Sequence, residues 1–147
     1  MSNRAMDRIP VDPAYSEKLG KAMFIFARLE WQAVWCCEKI APGSIAPLKE
    51  RTAGGVAKTL ARLAPESPKA AQRDLEVAAR RFLELVEMRN GLAHGRPCTA
   101  PDGEQRLSRD GFIWTPEAID KVANEFAECD IELNRLYYGP LRGTDVD

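Results

Sequence analysis

A long amphipathic helix is predicted over residues 13–40, and a helix of that length needs other elements to cover its apolar face. Asp12 is a residue type that caps helix N-termini, and Pro13 suits the first helical position. Pro42 and Gly43 end the pattern. The apolar residues recur about every 3.6 positions, at Leu19, Met23, Phe26, Ala33 and Cys37.

Two more stretches have the same periodicity. One begins at Ser67, a candidate N-cap that precedes Pro68, and ends near His94 and Gly95. Its stripe is Leu75, Ala78, Ala79, Phe82, Leu85 and Val86. The other opens at 115–117 and stops at 139–140, with a stripe of Ile119, Val122, Phe126, Leu133 and Tyr137. Both are predicted to be helices that pack on the first.

The segments between these helices are less regular. Residues 48–63 are predicted as a second helix, or as a loop followed by a short helix, because Gly54 and Gly55 disfavour a helix interior. Turn signals at 101–103 and 109–111 flank strand-like pieces at 105–107 and 112–114, which predict a hairpin flap. The fold class is therefore all-α: an antiparallel bundle of four to five helices with a small β-hairpin insert before the last helix. Residues 13–140 form one domain, with loose termini at 1–12 and 141–147.

The composition excludes several classes of protein. Of 147 residues, 45% are apolar and 29% charged, and the net charge is −1, which rules out a disordered chain and a uniformly basic nucleic-acid binder. The chain has neither an apolar run of the ~20 residues that a membrane span needs nor a signal peptide, so we expect a cytoplasmic protein with no membrane partner. The four cysteines are expected to be reduced, as is usual in a cytoplasmic protein. No spacing of Cys and His supports a metal site.

One charged residue interrupts each long apolar stripe. Helical geometry places Glu30, Arg89 and Asp130 among the inward-facing residues of the three long helices. Buried charges are usually paired or neutralised. The three side chains form either an internal ion network that fixes helix register or a polar cleft with a function.

The single histidine, His94, stands at the end of the third long helix. Asn90 lies one turn before it, and Glu87 lies about two turns before it on nearly the same face, so that either side chain could orient the imidazole. The structural alternative is a helix C-cap, where a protonated imidazole is favourable. Gly91 indicates either the close approach of another backbone or early fraying of the helix.

The segment 88–95, Met-Arg-Asn-Gly-Leu-Ala-His-Gly, resembles the signature of the HEPN superfamily of small helical proteins. That signature is an Arg, a polar residue and then a His within a few positions, at the end of a long helix, and here it is Arg89, Asn90 and His94. The resemblance implies a metal-independent ribonuclease without cofactor, which acts as a homodimer through the motif helix, where Gly91 and Ala93 would allow close approach.

By that resemblance Arg89, His94 and Asn90 are the catalytic residues, and Glu30 and Glu87 support them. An imidazole exchanges protons near neutral pH, and a guanidinium stabilises charge on a phosphate oxygen. RNA would be held by Arg96, Arg106 and Arg109. A toxin or phage-defence role, with a cognate antitoxin, would fit such an enzyme. The alternatives are a non-catalytic HEPN-like dimer that binds RNA or nucleotides, and a plain protein-interaction bundle.

Overall fold

The computed structural model describes residues 3–145 of the chain and confirms the all-α class with a small sheet before the last helix. The helices are α1 (Pro13–Ile40), α2 (Ile45–Leu48), α3 (Ala53–Leu63), α4 (Lys69–Ala93) and α5 (Pro116–Tyr138). The strands are β1 (Arg96–Thr99), β2 (Gln105–Arg109) and β3 (Phe112–Trp114). Short 3₁₀ helices cover Ala5–Arg8, Ala64–Glu66 and Pro140–Asp145.

Helix α1 begins and ends at the residues that the sequence predicts. The Asp12 carboxylate accepts the N–H of Ala14 at 3.1 Å, which satisfies one of the free amides of the first turn. After Ile40, Gly43 adopts a positive φ of 97°, and the Glu38 carboxylate accepts the N–H groups of Gly43 and Ile45. The chain therefore reverses immediately after α1.

The region 48–63 follows the second of the two predicted forms, a loop and a short helix. Thr52 is the N-cap of α3, and its hydroxyl accepts the N–H of Gly55 at 3.1 Å. Gly54 and Gly55 thus occupy the first turn of α3, where their cost is smaller than in a helix interior. The single helix over 48–63 is wrong, because the chain turns between α2 and α3.

The start of α4 corrects another prediction. Pro68, and not Ser67, is the N-cap residue. The Ser67 hydroxyl instead donates a hydrogen bond of 2.6 Å to the carbonyl of Ala64 and closes the preceding 3₁₀ turn. A serine hydroxyl can bond to backbone groups of a preceding turn as well as to those of a following helix. The sequence pattern does not distinguish the two, and it therefore placed the cap one residue early.

Helices α1 and α5 are parallel, although successive long helices run in opposite directions. Lys18 contacts Asp120, Phe26 contacts Phe126 and Arg28 contacts Asp130, so the register advances in the same direction on both helices. Helix α4 is antiparallel to α5, since Arg135 pairs with Asp74 and Arg81 with Glu125. Phe26, Phe82 and Phe126 meet in the core between the three helices.

The flap is a three-stranded antiparallel sheet in the order β1-β2-β3, one strand more than the predicted hairpin. Asp110 and Gly111 both have positive φ, 50° and 82°, as a tight turn between twisted strands requires. Strand β1 was not predicted because Pro97 interrupts it, and proline is tolerated only where a strand is an edge.

The C-terminal segment is partly ordered by packing. Leu141, which the sequence analysis assigned to a loose terminus, is fully buried within the short helix Pro140–Asp145. Residues 1–2 and 146–147, also assigned to loose termini, lie outside the described residues. Among residues 3–145, no helix has the length and apolar character needed to cross a membrane.

Candidate functional site

The C-terminal end of α4 lies under the flap. His94 is the C-cap residue, and its N–H donates to the carbonyl of Asn90 at 2.9 Å. A Cβ on Gly95 would stand 3.0 Å from the Cβ of Leu107 in β2. The helix can therefore end this close to the flap only with glycine at position 95. The His94 side chain itself is exposed.

His94 opens onto a cavity of about 510 Å³ that we call the polar cavity. Its walls come from the end of α4, the start of β1 and the β2–β3 turn, and are formed by His94, Arg96, Ser108, Arg109 and Asp110. Two of the three arginines that the sequence assigns to RNA binding, Arg96 and Arg109, thus lie beside the histidine. One imidazole and two guanidinium groups face one aspartate, which suits an anionic ligand.

Arg109 also fastens the flap to the helix. Its Nη1 donates a hydrogen bond of 2.7 Å to the carbonyl of Asn90, and its Nε lies 3.8 Å from the carboxylate of Asp110. The Asn90 carbonyl is in the last turn of α4, where a cation is favourable, and it accepts the Arg109 hydrogen bond in addition to that from the His94 N–H. The contact fixes one wall of the polar cavity.

A second cavity, of about 340 Å³, adjoins the first, because Arg109 and Asp110 line both. We call it the aromatic cavity; its other lining residues are Glu87, Met88, Asn90, Gly91, Phe112 and Trp114. The rings of Phe112 and Trp114 meet edge to face with centroids 5.0 Å apart. The predicted residues Glu87 and Asn90 therefore border this cavity and not the polar one.

Gly91 forms part of the wall of the aromatic cavity inside a regular helix. A Cβ at this position would lie 3.6 Å from the indole ring of Trp114. The neighbour of Gly91 within the chain is thus a side chain of the flap and not another backbone. Fraying does not occur either, because α4 continues to Ala93.

Arg89 lies on the side of α4 that faces α1. Its guanidinium group stacks on the ring of Phe26, 4.9 Å from the centroid, and its Nε is buried and makes no hydrogen bond within residues 3–145. Burial raises the pKa of the half-buried Glu30 carboxyl, and the charge of Arg89 opposes this only in part. No ion pair joins the two side chains in the described structure, so Glu30 does not hold Arg89 directly.

Arg89 and His94 are not on one face of α4. Five residues at about 100° each place them about 140° apart around the helix axis. Arg89 faces α1, whereas His94 faces the flap. A single chain therefore presents the two motif residues on separate surfaces. In the part of the chain that is described, no hydrogen bond links the His94 imidazole to the side chain of Asn90 or Glu87.

The third arginine assigned to RNA binding is buried. Arg106 is only 8% exposed, and its guanidinium group stacks on the ring of Tyr15 at 4.6 Å. Asp130, the third charge on an apolar stripe, pairs with Arg28 at 3.7 Å and not with Arg89. Burial raises the pKa of Asp130, and the Arg28 charge opposes that shift. The three stripe charges thus do not form one network.

Three of the four cysteines are buried thiols, and Cys98 is half-buried. All four are free thiols, and burial raises the pKa of Cys36, Cys37 and Cys129 to about 12. Within residues 3–145, no group of His, Cys, Asp and Glu side chains is arranged to hold a metal ion.

Sequence reasoning missed Phe112, Met88, Ser108 and Asp110 as residues of the site. The Asp110-Gly111 pair was a signal for the turn, but nothing in the sequence placed that turn beside α4. The chain has no match among family models, curated proteins or solved structures.

Proposed function

We propose that the protein is a metal-independent endoribonuclease of HEPN type that acts as a homodimer through the C-terminal part of α4. The observation that carries the proposal is the exposed His94 in a cavity with Arg96 and Arg109, at the end of the helix that bears the Arg89-Asn90 pair. An imidazole and two guanidinium groups that line one cavity suit the cleavage of a phosphodiester.

In the proposed reaction the 2′-hydroxyl of the substrate is the nucleophile. The His94 imidazole removes the 2′-OH proton, and the 2′-oxygen attacks the adjacent phosphorus. The bond from phosphorus to the 5′-oxygen breaks, and this oxygen takes up a proton from an imidazolium. The products are a 2′,3′-cyclic phosphate and a 5′-hydroxyl. Arg96 and Arg109 would hold the phosphate oxygens and stabilise their growing charge.

A homodimer would bring Arg89 and His94 together although one chain holds them apart. Because the two residues point about 140° apart on one helix, Arg89 would join His94 in one cleft only if it came from a second copy. A buried polar atom without a hydrogen bond is rare, and the buried Nε of Arg89 makes none within residues 3–145, which favours a role for this side chain beyond packing on Phe26.

The same separation favours the second candidate, a non-catalytic dimer that binds RNA or nucleotides. In that case Arg96 and Arg109 would hold the phosphate, and Arg89 would be a structural residue stacked on Phe26. A cognate antitoxin and a cytoplasmic location belong to the first candidate.

The test is incubation of the purified protein with total cellular RNA in EDTA, beside His94→Ala, Arg89→Ala and the matched control Arg80→Ala. Arg80 lies exposed on α4, away from both cavities. We expect wild type and Arg80→Ala to yield cyclic-phosphate ends, and both motif variants to yield none. Equal cleavage by wild type and His94→Ala would refute the assignment. RNA binding without cleavage by wild type would establish the second candidate.

A further inference from the structure

The lining of the aromatic cavity offers aromatic surface on which a flat ring can stack. The Phe112 side chain, which is 51% exposed although it lies in a strand, lines it together with Gly91 of α4, which has no side chain. The indole of Trp114 also lines the cavity and lies 3.6 Å from the position of a Gly91 Cβ. A planar aromatic ligand could stack on Phe112 without displacing any side chain from α4 at Gly91.

The rim of this cavity supplies hydrogen-bonding groups. The side chains of Glu87 and Asn90 line it, and neither makes a hydrogen bond or ion pair within residues 3–145. A carboxylate accepts two hydrogen bonds side by side, and an amide both donates and accepts. Guanine offers the matching edge, two adjacent N–H donors beside a carbonyl oxygen. The other bases lack two adjacent donors next to an acceptor in this arrangement.

The neighbouring polar cavity determines what else the ligand carries. Arg109 and Asp110 form the shared wall, so a ring in the aromatic cavity stands beside the His94 imidazole and the guanidinium groups of Arg96 and Arg109. A ligand that fills both cavities needs a flat base next to an anion, which is the chemistry of a nucleotide. A second copy of this chain would also cover Phe112, and the dimerisation of the Phe112→Ala variant distinguishes that occupant.

We propose that the aromatic cavity is a base-binding subsite that selects a guanine next to the phosphate held in the polar cavity. Phe112 stacks on the base, Glu87 accepts its two N–H groups, and Asn90 donates to its carbonyl oxygen. The position of the subsite relative to a cleaved bond rests on the proposed function, whereas the base preference in binding does not.

Binding is measured with pentanucleotides that cannot be cleaved, because every ribose is 2′-O-methylated. The central base of UUXUU is varied among the four bases, and fluorescence anisotropy gives the Kd with the full chain. We expect wild type to bind the G pentamer about tenfold tighter than the others, in line with two charge-assisted hydrogen bonds. Phe112→Ala should weaken binding of the G pentamer about tenfold, the scale of one base stack, and Phe112→Tyr should restore it.

Two matched controls isolate the subsite. Phe24→Ala removes another exposed phenyl ring, 67% exposed on α1, and should leave every Kd unchanged. Glu87→Gln should abolish the preference for G, whereas Glu66→Gln, at an exposed site in another turn, should retain it. Equal affinity for all four pentamers, no measurable binding, or equal losses in Phe112→Ala and Phe24→Ala would each overturn the proposal. Loss of dimerisation in Phe112→Ala with unchanged Kd would assign the ring to a contact between copies.

Cleavage is followed separately on the ribose form of UUGUU in EDTA. A preference for G without cleavage would retain the subsite and reject the ribonuclease. Cleavage without any base preference would retain the ribonuclease and reject the subsite.

Discussion

The hydroxyl of Tyr15 donates a hydrogen bond of 2.7 Å to the carbonyl of Trp114, a residue 99 positions later in the chain. The same oxygen accepts the N–H of Leu107 at 3.0 Å. Tyr15 lies in the first turn of α1, and it is 2% exposed. One side chain therefore ties the start of the bundle to two strands of the flap, and it fixes the backbone from which the Trp114 indole reaches Gly91.

Tyr15→Phe should destabilise the protein, because it leaves the Leu107 N–H and the Trp114 carbonyl without their partner inside the fold. The expected loss in the free energy of unfolding is about 1–3 kcal/mol. Urea denaturation followed by far-UV circular dichroism measures it. Tyr138→Phe is the control, since that side chain is 61% exposed and its hydroxyl makes no hydrogen bond in the described structure. Equal stability of the two variants would contradict the structural role of Tyr15.

Alanine at two nearby glycines should have opposite effects. Gly91→Ala places a methyl group at an ordinary contact distance of 3.6 Å from Trp114, within a helix, and should stabilise the protein by up to about 1 kcal/mol. Gly95→Ala brings its Cβ to 3.0 Å from that of Leu107 and should destabilise it by about 1–3 kcal/mol. Thermal unfolding compares the two variants. A lower Tm for Gly91→Ala would mean that the helix end is more crowded than the contacts indicate.

The stability should fall as the pH rises through the pKa of Glu30. Burial raises that pKa in the folded state, so the folded protein holds the proton more tightly than the unfolded chain does. The resulting stabilisation is complete below the ordinary glutamate pKa of about 4.3 and is lost as the pH passes the raised value. Asp130 contributes in the same direction.

Glu30→Gln should therefore lose less stability than wild type between pH 4 and pH 7. Urea denaturation across that range gives the free energy of unfolding at each pH. The exposed Glu66→Gln serves as control and should follow the wild-type profile. Parallel profiles for wild type and Glu30→Gln would show that the carboxyl titrates alike in the folded and unfolded states.

One thiol should react in the native protein. Cys36, Cys37 and Cys129 are buried, and pKa values of about 12 leave almost no thiolate at pH 7, whereas Cys98 is half-buried in edge strand β1. A colorimetric disulfide reagent should titrate one group in buffer and four in urea. Cys98→Ser should reduce the native count to zero. Fast reaction of a second thiol in buffer would contradict the burial of Cys36, Cys37 and Cys129.

The helices were predictable from sequence because their signals are local. Asp12, Pro13 and Gly43 mark the ends of α1 within a few residues of chain. The stripe spacing predicted Glu30, Arg89 and Asp130 among the inward-facing residues, and all three are half-buried. What these charges contact was not predictable. Asp130 pairs with Arg28 because α1 and α5 are parallel, and nothing in a single stripe specifies which helix lies beside it.

The site was less predictable than the helices, because its walls come from different elements. The end of α4 and its motif were visible in the sequence, but the flap folds back onto them through Arg109 and Tyr15. Arg106 and Arg109 look alike as sequence. Alternate residues of a strand point to opposite faces, so Arg106 and Arg109, three positions apart in β2, lie on different sides of the sheet. Arg106 stacks on Tyr15, whereas Arg109 lines the polar cavity.

The parallel pairing of α1 with α5 has a consequence during synthesis. Lys18 and its partner Asp120 are separated by 102 positions, so at 5–20 residues per second the first helix leaves the ribosome roughly 5–20 s before its main partner. During that interval the side of α1 that will contact α5 has no cover. We expect nascent chains that end before α5 to aggregate or to bind chaperones, and release of the last helix to complete folding.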